Sequence, residues 1–106
     1  VQGDVEISGA AIEMPSETTI KVSLEAQKTI SWPRIESKDH IIAVASSGTG
    51  RTLEDAIRLS FISLVEWLEA DYGFDRWEAY QLCTQVAKVR LGNIWTAAAK
   101  FPKKYL

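Results

Sequence analysis

Polar and apolar positions alternate through the first half of this chain and recur at helical spacing through the second. The cleanest alternation is Thr19–Ala26, where Ile20, Val22, Leu24 and Ala26 face one way and Lys21, Ser23 and Glu25 the other. That period of two predicts a half-buried strand with the four apolar residues on a core. The opening residues carry the same signal on a smaller scale: Val5 and Ile7 share one face of a strand, Asp4 and Glu6 the other. Ile30-Ser31-Trp32 continues the alternation up to Pro33, which cannot donate to a ladder and marks a strand end or an edge. Ile41-Ile42-Ala43-Val44-Ala45 is apolar on both faces, as in a strand buried between layers.

The period then changes. Leu53, Ile57, Phe61, Leu64 and Leu68 fall on one helical stripe, widened by Ala56, Val65 and Trp67, and predict a helix over residues 53–72. Thr52 and Asp55 form a capping-box pair at its start, and Gly73 supplies its stop. Asp75 caps a second helix, read as 76–90, whose polar stripe is Glu78, Gln81, Gln85 and Lys88. The few residues between the two helices require a tight helical hairpin. Gly92-Asn93 closes the second helix in this reading, and Ile94–Phe101 forms a last strand stopped by Pro102. Strands, then a helical hairpin, then a final strand predict a single α+β domain over residues 1–106. Its sheet is expected to be mostly antiparallel or mixed, with the hairpin on one face.

Composition narrows the class. A chain of 106 residues with 46% hydrophobic and 25% charged residues is an ordinary globular domain. Its net charge of −2 argues against a nucleic-acid partner, because the only basic cluster is Lys100, Lys103 and Lys104, read as a solvated tail. No apolar run is long enough for a membrane span or a signal peptide, so a cytoplasmic setting without membrane attachment is expected. The lone Cys83 excludes an internal disulfide and any paired-cysteine zinc motif, and its place in a helical pattern reads as an inert buried thiol. His40, the only histidine, is either a metal ligand or proton shuttle, or a polar residue at a strand entrance. Ser46-Ser47-Gly48-Thr49-Gly50 leads from a strand into a helix but lacks the spacing of a phosphate-binding loop, and reads as a flexible turn.

The candidate chemistry lies in residues 1–13, where Asp4, Glu6 and Glu13 fall near Gly3 and Gly9. Two carboxylates on one strand face oppose each other's ionisation unless a cation or hydrogen-bond donors sit between them. That arrangement suits a hard-cation site or paired acid/base groups, and equally a solvated strand face beside a turn. Glu13 reaches the same side as Glu6 only if Gly9 introduces a bulge.

The run Gln2-Gly3-Asp4-Val5-Glu6 with Gly9-Ala10-Ala11-Ile12-Glu13 resembles the QGDGE…GTAIE segment of the acetamidase/formamidase family. Ser47–Ala56, Glu78–Leu82, Leu91–Ile94 and Phe101–Lys103 resemble later segments of that family, in the same order. Val5 stands where the family has its second glycine. The resemblance covers the C-terminal third of a typical member and implies an amidase that releases ammonia and a carboxylate from a short aliphatic amide. By the same resemblance Glu6 is a metal ligand or base, Asp4 a ligand or orienting group, and Glu13 a further catalytic-pocket carboxylate. A divalent ion (zinc, magnesium or calcium) is the implied cofactor, and carboxylates alone favour Mg²⁺ or Ca²⁺. The histidine-bearing segment that precedes the motif in the family is expected on a missing N-terminal portion or a partner chain. The wide apolar arc of the first helix and the tryptophans Trp32, Trp67, Trp77 and Trp95 suggest a homo-oligomer or another apolar partner surface. The alternative, from another class, is a non-catalytic interaction domain that keeps the fold.

Overall fold

The structure, a computed structural model, describes residues 14–106. Four strands and two helices succeed one another in the order β1 (Arg34–Glu36), β2 (His40–Ser46), α1 (Leu53–Tyr72), α2 (Arg76–Val86), β3 (Lys88–Asn93) and β4 (Thr96–Pro102), with a short 3₁₀ turn over Lys103–Tyr105. The strands form one sheet in the order β1-β2-β4-β3, and every pairing is antiparallel. The α+β expectation holds, with a wholly antiparallel sheet.

Alternation in the two central strands sets the layers. Ile41, Ala43 and Ala45 of β2 and Ala97, Ala99 and Phe101 of β4 are buried on one face. The helices cover that face: Leu64, Trp67 and Leu68 of α1 and Ala79 and Cys83 of α2 join Ile41, Ala43, Ala99 and Phe101 in one core. Opposite the alanines, α1 buries Ala56, Ser60 and Ser63. Small residues on both surfaces let the helix lie close over the sheet. Ser60 stays satisfied there by donating its hydroxyl hydrogen bond to the Ile57 carbonyl at 2.8 Å.

The helix ends are set by their caps. The Thr52 hydroxyl accepts from the Asp55 amide at 3.3 Å, while the Asp55 carboxylate accepts from the Thr52 amide at 3.4 Å. Gly73 closes α1 at φ 72°, a left-handed conformation that costs a side-chain-bearing residue roughly 1–2 kcal/mol. The Asp75 carboxylate then accepts from the amides of Trp77 at 2.9 Å and Glu78 at 3.4 Å and starts α2.

Three sequence expectations need correction. Residues 19–26 form no strand: Ile20, Val22 and Leu24 are 77%, 85% and 90% exposed, and no ladder partner runs beside them among the described residues. Alternation makes a strand only where a sheet edge and a second apolar layer receive it. Ile30–Trp32 also lies outside the sheet, and β1 begins after Pro33 instead. Finally, α2 stops at Val86, and two strands come after the hairpin, not one. Lys88-Val89-Arg90-Leu91 alternates, so it joins the sheet as β3, and Ile94-Trp95 is the two-residue turn into β4. Gly92-Asn93 is therefore the bulged end of a β-hairpin, with the Asn93 side chain accepting from the Trp95 amide at 2.8 Å.

Candidate functional site

Asp4, Glu6 and Glu13, the carboxylates singled out by the sequence, lie outside the described residues. From Met14 the chain runs exposed to Ile30, with one turn at Ala26-Gln27, and then enters β1. This segment is fastened to the domain near its end, at Asp71 in the last turn of α1.

Asp71 is a node. Its carboxylate accepts from the Lys28 ammonium at 2.7 Å and from the Trp67 indole N–H at 2.9 Å, with the Arg34 guanidinium at 3.8 Å. Arg34 in turn lies 4.8 Å over the Trp67 ring, a cation–π contact in a partly desolvated setting, and its Nε is buried without a partner. The Lys28 hydrogen bond is the main cause holding the Asp71 carboxyl below its ordinary value. Reciprocally, that hydrogen bond raises the Lys28 ammonium above its ordinary value. Trp67 and Asp71 sit four apart on one helix, a spacing visible in the sequence, but their partners at 28 and 34 are not local and carry no pattern. The arrangement orders the approach to β1. It is a structural clasp, with its charges already paired.

The other residues marked by the sequence do not assemble a reaction centre. His40 opens β2, half-buried, its backbone amide donating to the Ser37 hydroxyl at 3.1 Å. Cys83 is 2% exposed, and burial pushes its thiol up to about 11, so it carries negligible thiolate near neutrality. Gly48 and Gly50 both take positive φ, 76° and 86°, and Gly48 donates its amide to the Ser46 hydroxyl at 3.3 Å. The loop is thus a turn that closes on itself. Ser47 is tied to the far hairpin, its amide donating to the Trp95 carbonyl at 2.9 Å. Among the described residues no three His, Cys, Asp or Glu side chains come together as a metal site.

One recess lies on the outer surface of the helical hairpin. Phe61, Ile62 and Val65 of α1 and Trp77, Tyr80 and Cys83 of α2 line an open groove of about 660 Å³. Trp77 and Tyr80 meet edge to face at 6.3 Å and stay 69% and 57% exposed. The sequence placed Trp77 and Tyr80 on α2 without showing that they face solvent. Of the four tryptophans, only Trp67 is fully in the core. The groove is mainly apolar, although Arg58, Glu66 and the paired Glu69 and Arg76 also line it, and it offers chiefly packing surface.

Among the described residues no helix is long and apolar enough to cross a membrane. No protein-family model matches the chain, and no curated protein matches it. Among solved structures, the acetamidase from Yersinia enterocolitica is similar to it, with 40% sequence identity and a TM-score of 0.71. The similarity covers 76% of this chain and 24% of that one, so the chain spans about a quarter of the acetamidase's length. The resemblance read from the sequence and the α+β fold class both stand on this match.

Proposed function

Taking as premise that this chain resembles a portion of an acetamidase/formamidase-family protein, we propose that it is part of an amidohydrolase for short aliphatic amides. The observation that carries the reading is the 40% identity to an acetamidase across three quarters of the chain. The reaction adds water to the amide carbonyl and breaks the C–N bond, giving a carboxylate and ammonia. In this reading Glu6 accepts the proton of the attacking water and returns it to the departing nitrogen. Asp4 orients that water or the cation beside it, and Glu13 is a further pocket carboxylate. The donor set of Asp4 and Glu6 is all oxygen, which fits a hard divalent ion such as Mg²⁺ or Ca²⁺ better than zinc. Held there, such an ion would polarise the carbonyl and acidify the water.

The remaining machinery is expected on another segment or chain, because the described residues bring no metal-holding cluster of three His, Cys, Asp or Glu side chains together. The exposed hairpin groove and the bare apolar residues Ile20, Val22 and Leu24 are surfaces on which that segment, or another copy of the chain, would pack. Two assays test the proposal. In the complete enzyme, Glu6→Gln should lower ammonia release from formamide and acetamide by at least about 10²-fold without changing the fold. The 106-residue chain alone should release none and should run larger than a monomer in light scattering. Normal turnover by the Glu6→Gln enzyme removes Glu6 from the chemistry, and a monomeric chain that hydrolyses either amide refutes the division of labour.

A further inference from the structure

A second recess, at the end of the sheet where α2 runs into β3, has a different chemistry from the hairpin groove. The strand register sets Lys88 of β3 directly across from Lys100 of β4. Directly opposed residues point to the same face, so the two lysine side chains leave the sheet side by side, and like charges so placed destabilise a sheet. Neither lysine has an ion-pair partner among the described residues. They share a cleft of about 820 Å³ with Lys38, His40, Lys103 and Lys104. Five of the chain's 12 lysines and arginines thus converge there, although the net charge is −2. Among the described residues, Asp39 is the one carboxylate on the lining.

The cleft is also built. Lys103 donates its backbone amide to the Asp39 carbonyl at 2.8 Å and its side chain to the Glu36 carboxylate, which pins the segment after β4 across the end of β1. Lys104 lies 4.8 Å over the Tyr105 ring, and Tyr105 stacks edge-on against buried Phe101 at 6.4 Å. The lysines at the C-terminus are therefore not a loose solvated tail. Val86 and Pro102 add an apolar wall. A concave volume of this size, part apolar and rimmed by ammonium groups, matches a small molecule that carries several negative charges.

We propose that this cleft is a binding site for a small soluble polyanion of the di- or triphosphate class, with Lys88 and Lys100 as its principal ligands. The anion relieves the repulsion between the two opposed ammonium groups and accepts charge-assisted hydrogen bonds from both. The site does not rest on amide hydrolysis and stands or falls by itself.

The test is titration of the full chain with inorganic tripolyphosphate by calorimetry, at low and at physiological salt, with amide chemical shifts recorded alongside. Saturable binding that weakens with salt is expected, with shifts confined to residues 38–40, 85–88 and 100–105. Lys88→Gln and Lys100→Gln should each weaken it about tenfold, the loss of one charge-assisted hydrogen bond. Lys88→Arg and Lys100→Arg together should retain it, which separates charge from fold. Lys21→Gln, on the exposed segment, should leave it unchanged. Absence of saturable binding overturns the proposal. So does an equal loss from Lys21→Gln, or binding to phosphatidylserine vesicles that tripolyphosphate does not compete away.

Discussion

Phe101 is the most consequential single side chain in the core, and removing it gives a measurable prediction. It is 0% exposed at the junction of β4 with α1 and α2, and is packed by Tyr105 from the succeeding turn. Phe101→Ala removes a ring that buries roughly 150–250 Å², which at about 25 cal/mol per Å² is about 4–6 kcal/mol before relaxation. Measured Phe→Ala costs of about 3–5 kcal/mol set the working figure. A domain of this size has about 5–15 kcal/mol in total, so the variant should fold but with little reserve. With a urea slope of about 1.5 kcal/mol/M, the midpoint should fall by roughly 2–3 M. Ile62→Ala is the control: Ile62 is 55% exposed on α1, and its loss should cost less than about 1 kcal/mol. Equal losses for the two variants, or less than about 1.5 kcal/mol for Phe101→Ala, would refute the assignment of the core to this face of the sheet.

Three further outcomes rest on particular contacts. Because its folded-state value is lowered, Asp71 contributes stability above its ordinary value of 3.8 that disappears as pH falls through the lowered value. Asp71→Asn, which keeps an acceptor for Trp67, should flatten that acid limb of the stability profile. Asp71→Ala should cost about 1 kcal/mol more for the lost indole hydrogen bond, and an unchanged acid limb in either variant would show that the clasp is idle. Cys83, with its thiol at about 11, should be at least about a hundredfold slower toward a disulfide reagent at pH 8 than free cysteine, until the chain is unfolded. Gly73→Ala should lower stability by about 1–2 kcal/mol, read in urea, since the left-handed backbone disfavours a Cβ even though space is open around it.

The signals that survived folding were local ones. Thr52 and Asp55, Gly73 and Asp75 fixed both helix starts and the hairpin turn, because each cap satisfies backbone groups within a few residues. The apolar run 41–45 also marked β2, although only Ile41, Ala43 and Ala45 are fully buried and Ile42 and Val44 are partly exposed, so the strand does not lie between two layers as its two apolar faces suggest. The failures were questions of partnership. Ile20, Val22 and Leu24 have a strand's alternation and no sheet beside them. Lys88–Leu91 was absorbed into a helical pattern because four residues fit either period, and only the pairing with β4 decides. The clasp at Asp71 joins positions 28, 34, 67 and 71, and the basic cleft joins residues near 40 to residues past 100, so neither has a sequence spacing to detect. The carboxylates that carry the proposed chemistry precede the described residues, and the resemblance to an acetamidase remains their support.

The strand order has a consequence for how the molecule comes into being. The middle of the sheet is the pairing of β2 with β4, which runs from His40 against Pro102 to Ser46 against Thr96. β2 pairs on one side with the neighbouring β1, but on the other side it waits for a partner about fifty to sixty residues further along, the last strand among the described residues. A chain emerging from the ribosome can form the β1–β2 pair, α1 and α2 early, since their contacts are local, but cannot complete the sheet until residues 96–102 are free. Until then the edge of β2 that receives β4, and the helix surface that covers Ala99 and Phe101, stay open to other chains. A nascent chain arrested before Thr96 should be captured by chaperones more strongly than one released past Pro102.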